Sequence, residues 1–80
     1  MVYYARVPIR KLIPTVVVYL ATDFGEVRFR ARWKRSPLEL QRLILYRMRN
    51  GKLLWFEDER GRDVCFRPET VSAALVDGRR

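Results

Sequence analysis

The clearest pattern in the sequence is a strict alternation of apolar and polar residues over positions 26–34. The apolar side chains in this segment are Val27, Phe29, Ala31 and Trp33. A repeat of two residues is typical of a β-strand that buries one face and exposes the other. The segment therefore predicts a half-buried strand. The basic residues on its exposed face are Arg28, Arg30, Arg32 and Lys34.

A second strand is predicted over residues 15–22, where β-branched side chains are frequent. Both of its faces are apolar, which is typical of a strand covered on both sides. Asp23-Phe24-Gly25 has the composition of a turn, because Asp supplies a local hydrogen bond and Gly accepts a positive φ. Residues 15–34 are therefore predicted to form an antiparallel hairpin. One helix covers only one side of it, so we expect the N-terminal arm or a second subunit to cover the other.

A helix is predicted to begin after Ser36 and to run to about Asn50. Ser36 is followed by Pro37 and then, three residues after the serine, by Glu39, which is the arrangement of a capping box. Gly51 is a residue typical of the position just after a helix end.

The apolar surface of this helix is wider than contact with one sheet requires. The positions predicted to face the sheet form one broad arc, made of Leu38, Leu40, Ile44, Leu45 and Met48. Leu43 and Tyr46 fall outside the arc, beside Arg42 and Arg47. Together with the doubly apolar strand over residues 15–22, this surplus predicts a homo-oligomer.

The remainder of the chain predicts three more strands. Two are expected over residues 52–58 and 62–67, with a hairpin turn at residues 59–61. The last is expected over residues 71–77, after a short corner at residues 68–70. The predicted fold class is α+β with the order β-β-α-β-β-β. It is a small antiparallel sheet of four to five strands with one helix, which strand twist can curl into a partial barrel.

The length of 80 residues predicts one domain over residues 1–80. Residues 1–14 are expected to be an edge strand or an extended arm, because Pro8 and Pro14 interrupt any ladder, and residues 79–80 a frayed tail. A chain of this size buries only about 60–65% of its unfolded surface. Tight packing or oligomerisation must therefore supply its stability.

Composition argues against several classes of site. The chain has one cysteine and no histidine, so neither a disulfide nor a zinc site is expected. Cys65 is predicted to be a packed, inert thiol, because no histidine is present to activate it. No cofactor is expected, and neither is an enzyme, since the sequence has no glycine-rich phosphate loop and no paired acid and base.

Two local motifs resemble sites for a divalent cation but are weak evidence for one. Asp23-Phe24-Gly25 spells the magnesium-binding tripeptide of protein kinases, but 80 residues cannot hold the other kinase motifs. Carboxylates also cluster around the second hairpin, at Glu57, Asp58, Glu59 and Asp63. Carboxylates that close can hold a divalent cation. Arg60 and Arg62 lie among them, which favours a solvated or ion-paired hairpin tip, or docking onto a basic partner.

No membrane span or secretory signal is expected. The longest apolar stretch, residues 16–21, is far shorter than the roughly 20 residues that a membrane-spanning helix needs. The first residues have no charged region followed by an apolar run. The expected compartment is the cytoplasm.

The net charge of +8 is unevenly placed. Residues 1–35 contain eight basic and two acidic side chains, whereas residues 51–78 contain four and six. This polarity suits an anionic partner, and it equally suits self-association.

Of the 17 basic residues 14 are arginine, and only one glutamine and one asparagine occur. Such a bias fits a thermophilic source, and the arginine excess fits a GC-rich genome equally well.

The row of basic side chains on the strand over residues 26–34 has a spacing of about 7 Å. Consecutive phosphates of a nucleic-acid strand lie at a similar spacing, so the row is able to follow a phosphate backbone. Two alternatives remain open. The row is a solvated face, crossed by pairs with Glu57, Glu59 or Asp63, or it is an interface with an acidic protein.

Aromatic side chains beside basic ones are typical of single-strand binding, because bases stack on them. Phe29 and Trp33 alternate with the arginines and are expected to face the core. Binding by this face is therefore expected to involve phosphate, with little sequence preference. Tyr3, Tyr4 and Tyr46 remain as candidates for stacking, with core or interface packing as the alternative for each.

These patterns predict non-catalytic binding of a polyanion, RNA or DNA. The candidate binding residues are Arg28, Arg30, Arg32 and Lys34, with further contributions from Arg35, Arg42 and Arg49 near the helix. The alternative is a small regulatory or assembly protein, such as a phage- or plasmid-type modulator, that docks on a larger protein machine. The charge polarity and the surplus apolar surface favour that alternative.

Overall fold

A computed structural model describes residues 13–78, and these residues form five strands and one α-helix. In chain order the elements are β1 (Thr15–Thr22), β2 (Gly25–Arg32), α1 (Pro37–Arg49), β3 (Leu54–Glu57), β4 (Asp63–Phe66) and β5 (Val71–Asp77). A short 3-10 turn, Pro68–Thr70, precedes β5. The predicted α+β class and element order are confirmed. The predicted arm or strand over residues 1–14 lies almost wholly outside the described residues, as does the tail.

The strands are divided between two sheets, which corrects the prediction of one sheet. Within the described residues the larger sheet has the order β2-β1-β5, and β3 pairs only with β4. The two sheets are joined at a corner by an antiparallel bridge between Ala31 and Asp58. Strands β3 and β4 have four residues each, and within residues 13–78 the backbone pairing that joins this sheet to β2 is limited to the bridge. Because the ladder does not continue beyond it, the described strands do not close into the partial barrel.

The first hairpin has the predicted turn. Strands β1 and β2 pair in one unbroken register, from Thr15 opposite Arg32 to Thr22 opposite Gly25. Gly25 has the expected positive φ, 117°. The local hydrogen bonds come from Thr22 rather than from Asp23, which corrects that detail of the prediction. The Thr22 hydroxyl donates to the Gly25 carbonyl at 2.7 Å and accepts from the Phe24 N–H at 3.1 Å.

Helix α1 begins and ends where the sequence predicts. The Ser36 hydroxyl accepts from the Glu39 backbone N–H at 3.2 Å, and Pro37 is the first helical residue. The Glu39 carboxylate forms an ion pair with Arg35 at 3.2 Å. The helix ends at Asn50, and Gly51 follows in the left-handed region at φ 65°. Residues 13–78 include no helix with the length and hydropathy required to cross a membrane.

The core lies between α1 and one face of the larger sheet, and the smaller sheet closes one end. Its buried side chains include Val18, Leu20, Leu40, Ile44, Leu54, Phe56 and Val76. Three phenyl rings pack together beside it, with the Phe29 and Phe56 centroids 5.2 Å apart and Phe66 next to both. Burial of these apolar side chains is the main favourable term for folding.

The helix is fixed against the edge strand β5. The Gln41 side-chain oxygen accepts a hydrogen bond from the Val76 N–H at 3.0 Å, so a backbone donor of β5 is satisfied by the helix. A Cβ on Gly78 would lie 2.7 Å from the Pro37 ring. A side chain there would collide with the start of the helix, so glycine allows the end of β5 to pass it.

Two burial predictions are right only in part. Leu40 and Ile44 are buried in the helix interface, but Leu38 and Leu45 lie at its flank and are 53% and 37% exposed. The second face of β1 is also unevenly covered, because Val17 is buried while Tyr19 is half-buried. The prediction of a homo-oligomer, which depends on this surplus apolar surface, stays a prediction.

Candidate nucleic-acid interface

The side of the larger sheet that faces away from α1, named the outer face, is assembled from β1, β2 and β5. Directly opposed residues in an antiparallel pair project on the same face. Tyr19 is opposite Arg28 on one side and Leu75 on the other. The neighbouring rows place Arg30, Val17 and Asp77 together, and Glu26, Ala21 and Ala73 together. The outer face therefore combines two arginines and an apolar strip with the carboxylates of Glu26 and Asp77.

Arg28 and Arg30 are the available cations of this face. Among residues 13–78, neither side chain forms an ion pair or a hydrogen bond. Arg28 is exposed and Arg30 is half-buried. The Arg28 guanidinium carbon lies 5.9 Å from the centre of the Tyr19 ring, at the outer limit of a cation–π contact. Both guanidinium groups can therefore meet a ligand without first losing a carboxylate partner.

Tyr19 is the residue that the sequence prediction missed. The prediction compared aromatics with arginines along one strand, where Phe29 and Trp33 have the opposite parity. Across the hairpin, however, the two-residue turn fixes the pairing of Tyr19 with Arg28. That register was available as a signal, because a short turn determines which residues of the two strands are opposed. An aromatic ring does lie beside the arginines, contrary to the expectation.

Next to Tyr19 the outer face has a shallow apolar depression of about 370 Å³. Its lining residues are Tyr19, Ala21, Glu26, Ala73, Ala74 and Leu75. Leu75 is 55% exposed, although it lies in the middle of a strand. Three of the lining side chains are alanines, which are small and leave room for a ligand. Glu26 is the charged residue of the lining.

Arg32 belongs to the same row but is engaged within the protein. Its Nη1 lies 3.2 Å from a carboxylate oxygen of Glu57, and its Nη2 donates to the Glu59 carbonyl at 3.0 Å. Its Nε is buried and has no acceptor in the part of the chain that the structure describes. A Cβ on Gly61 would lie only 3.3 Å from this guanidinium, so the group packs directly against the second hairpin turn. Arg32 therefore joins β2 to the smaller sheet. For this member of the basic row the structure shows the ion pair with Glu57, which was one of the alternatives to polyanion binding.

Asp58 organises the turn that Arg32 contacts. Its carboxylate accepts from the backbone N–H groups of Arg60 and Arg62 at 2.9 and 2.8 Å, and from the Arg62 Nε at 3.0 Å. These donors, above all the Arg62 backbone N–H, lower the pKa of Asp58 below its ordinary value of 3.8, although desolvation opposes them. The Asp58 carboxylate is thus used to hold the hairpin. The described residues contain no group of acidic, cysteine or histidine side chains arranged to hold a metal ion.

The remaining candidate residues are distributed over other surfaces. Helix α1 packs on the opposite side of the sheet, so Arg42 and Arg49 point away from the outer face. Lys34 follows the end of β2 and is exposed, and Arg35 forms the ion pair with Glu39. The structure therefore does not bring the seven predicted residues into one site. Only Arg28 and Arg30 are both on the outer face and without a side-chain ion pair or hydrogen bond among residues 13–78.

Trp33 separates two shallow grooves near the start of the helix. Its indole N–H donates to the Ser36 carbonyl at 2.8 Å, and its ring packs against the core. One groove is lined by Trp33, Arg35, Glu39, Arg42 and Leu43, and the other by Ile13, Arg32, Trp33, Lys34, Arg35 and Glu57. In each groove an acidic side chain is already paired with an arginine of the lining, Glu39 with Arg35 and Glu57 with Arg32, so these two arginines are less available to a polyanion than Arg28 and Arg30.

Cys65 is exposed, so the prediction of a packed thiol is wrong. It is opposite Trp55, which is 61% exposed. Strand β4 pairs only with β3, and among the described residues nothing covers the side of this hairpin on which Trp55 and Cys65 lie. The predicted parity, with Val64 and Phe66 turned toward the core, is confirmed.

Comparison with known protein families, with curated proteins and with solved structures finds no match to this chain. The chemistry of the outer face is therefore inferred from its own residues. They are two arginines without carboxylate partners among residues 13–78, one tyrosine, an apolar strip, and the carboxylates of Glu26 and Asp77.

Proposed function

We propose that this chain is a non-catalytic module that binds a polyanion, RNA or DNA, through the outer face. The observation that supports the proposal best is the position of Arg28 and Arg30. Both lie on the side of the sheet opposite the helix, and neither has an ion-pair partner among residues 13–78. Two neighbouring cations on one strand face are separated by about 7 Å, which suits consecutive phosphates.

The chemistry of arginine supports phosphate as the group recognised. A guanidinium has five N–H donors in a fixed plane and pairs with phosphate through two parallel hydrogen bonds. Phosphate contacts also release condensed counterions, so each contact adds to the affinity and to its dependence on salt. For two phosphates on a single strand, log K is expected to fall with log salt concentration at a slope of about −1.4.

The charge distribution supports one orientation of the ligand. The hairpin β3–β4 has its carboxylates beyond Arg32, at the end of β2 that bridges Asp58. Because Glu57 and Asp58 engage Arg32 and Arg62 there, these arginines are less available to a polyanion than Arg28 and Arg30. The proposed compartment is the cytoplasm, where a reducing environment suits the exposed thiol of Cys65.

The test is a titration of short labelled RNA and DNA oligonucleotides with the full chain, followed by fluorescence anisotropy at low and increasing salt. Arg28→Gln and Arg30→Gln are each expected to weaken binding about threefold to tenfold and to reduce the salt slope by about 0.7. Arg49→Gln removes the same charge from the helix surface and is the matched control. It is expected to change neither quantity beyond a small long-range effect.

Three outcomes contradict the proposal. They are the absence of binding at low salt, full affinity in both outer-face variants, or an equal loss in Arg49→Gln. The ratio of absorbance at 260 and 280 nm during purification gives an independent check, because bound nucleic acid raises it.

A second candidate function is docking on another protein, including a second copy of this chain. The exposed apolar side chains on α1 favour it: Leu38, Leu43, Leu45 and Tyr46. We expect size-exclusion chromatography with light scattering to give a molar mass of more than one chain, and Leu38→Lys to return it to one. Co-purification of a different protein in fixed proportion would instead identify a larger machine as the partner. A monomer that binds nucleic acid would favour the first proposal.

A further inference from the structure

The outer face has an element that phosphate binding alone does not use. Tyr19 lies in the middle strand, between Arg28 on β2 and Leu75 on β5. A cation row that only followed phosphates would gain nothing from an aromatic ring and an exposed leucine beside it. These two side chains offer a flat apolar surface at the distance of one strand from the arginines, about 5 Å.

The Tyr19 ring is accessible to a ligand. It is half-buried, and the Arg28 guanidinium that covers part of it lies 5.9 Å from the ring centre. A contact at this distance is at the weak end of the cation–π range of about 6 Å. When Arg28 moves to a phosphate, the ring face becomes free for a second planar group.

The depression beside the ring suits an uncharged, planar and mostly apolar group. Apart from Tyr19 and Glu26 its lining is apolar, with Ala21, Ala73 and Leu75 among the side chains. The negative charge of Glu26 at the rim repels a phosphate from the depression. Glu26 is on β2 itself, so phosphate is attracted to the part of β2 that has Arg28 and Arg30, away from the Glu26 end. The apolar part of the same ligand is directed toward β1 and β5.

From this arrangement we infer that the outer face takes single-stranded nucleic acid, with a base stacked on Tyr19 and phosphates on Arg28 and Arg30. This inference rests on the proposed function and narrows its ligand. In a duplex, neighbouring base pairs cover the base faces and only their edges are open in the grooves. In a single strand the bases can turn out of the backbone and stack on an aromatic side chain. The two arginines complement the phosphates of a single strand, and the apolar strip complements its bases.

The test compares three proteins, the wild type, Tyr19→Phe and Tyr19→Leu, by fluorescence anisotropy. The probes are a labelled mixed-sequence single strand, as DNA and as RNA, and the corresponding DNA duplex. Inorganic polyphosphate serves as a polyanion without bases, in competition with the labelled strand. Unfolding in urea, followed by circular dichroism, establishes that each variant is folded.

The wild type is expected to bind the single strand more tightly than the duplex. Tyr19→Phe retains the ring and is expected to keep the affinity. Tyr19→Leu is expected to lose about fivefold or more on the single strand, the low end for one stacked base, while its affinity for polyphosphate is unchanged. Equal affinities for DNA and RNA would mean that the face makes no contact with the 2′-hydroxyl. A preference for one of them would identify which nucleic acid the face binds.

Cross-linking gives a measurement that needs no variant. A strand with 5-bromouracil is irradiated in complex with the wild type, and the adduct is located by mass spectrometry. An adduct on β1 at Tyr19 supports the inference, and an adduct confined to the grooves at Trp33 overturns it.

The other outcomes separate this inference from the function on which it rests. If Tyr19→Leu binds the single strand as the wild type does, or if the duplex binds as tightly, stacking is wrong and phosphate binding stands. If no probe binds at low salt, both proposals are wrong. If Leu75→Gln, which adds no charge, converts an oligomer into a monomer and only the monomer binds, a second copy occupies the face and the inference is overturned.

Discussion

The two ends of β2 place the same residue type in two different roles. Arg28 and Arg30 lie on the outer face and have no carboxylate partner among residues 13–78, whereas Arg32 is 3.2 Å from Glu57. The hairpin that engages Arg32 also has the Asp58–Arg62 ion pair at 3.0 Å. A row of arginines along one strand is therefore not uniform. Each side chain becomes a structural group or an available cation according to what another strand places beside it.

The cause of the difference is the corner between the two sheets. The bridge between Ala31 and Asp58 places the carboxylates of the second hairpin beside Arg32, the last residue of β2. An engaged arginine must lose a hydrogen-bonded partner before it binds a ligand, while a solvated one loses only water. The outer face is therefore available for binding because the smaller sheet stops short of it.

The largest expected effect is on the structural side of the comparison. Asp58→Ala leaves two backbone N–H groups and the Arg62 guanidinium without their acceptor, so the second hairpin loses its turn. We expect it to lower the midpoint of urea unfolding more than substitution of any single arginine on β2. Asp63→Ala, at an exposed position of the same hairpin, is the control. Equal midpoints for the two variants would show that Asp58 does not hold the turn.

The pH dependence of stability follows from the same carboxylate. Its pKa is lower in the folded chain than the ordinary 3.8, so its ionised form stabilises the fold. That contribution is complete above the unfolded pKa and is lost as the pH falls through the folded one. The stability difference between the wild type and Asp58→Asn is expected to stay constant from neutral pH to about pH 5 and to shrink below. A difference that grows on acidification would contradict this assignment.

Arg32→Gln and Arg30→Gln separate the two roles directly. Arg32→Gln removes the contacts with Glu57 and Glu59 and is expected to cost about 1 kcal/mol of unfolding free energy. Its affinity for a single strand is expected to be unchanged. Arg30→Gln is expected to show the reverse, with unchanged stability and weaker binding. If both variants lose affinity equally, the distinction between the two ends of β2 is wrong.

Glu57→Gln tests whether the carboxylate is what keeps Arg32 from binding. Without the full negative charge, Arg32 is expected to join the row, with an affinity gain of about twofold to threefold. The salt slope then becomes steeper by about 0.7 for one added phosphate. Glu69→Gln removes an equal charge from the ion pair with Arg67, away from β2, and serves as the control. A gain of the same size in the control would indicate net charge alone as the cause.

The smallest effect is expected for Glu26→Gln. The substitution removes a negative charge from the rim of the depression without adding a phosphate contact. Affinity is expected to rise about twofold at low salt and the gain to disappear near physiological salt, where screening acts over about 8 Å. The phosphate contacts of Arg28 and Arg30 are expected to be unchanged in this variant. A loss of affinity would instead show that Glu26 contacts the ligand.

Much of the local structure could be predicted because it depends on neighbours in sequence. The alternation over residues 26–34, the serine cap at Ser36 and the glycines at positions 25 and 51 each concern a few consecutive residues. All of these elements are present as expected. The arginine part of the candidate interface was predicted in the same way, because strand periodicity alone puts Arg28 and Arg30 on one face.

The amino-acid sequence by itself thus determined the elements, their order and the face on which the arginines lie. Only the tertiary structure decided that Arg32 meets Glu57, 25 residues away, and that Tyr19 and Leu75 lie beside Arg28. It also decided that five strands divide into two sheets. The physical reason is that periodicity and capping act through the local backbone, while pairing between distant strands depends on how the buried side chains pack. The available arginines are those that this packing leaves without a carboxylate.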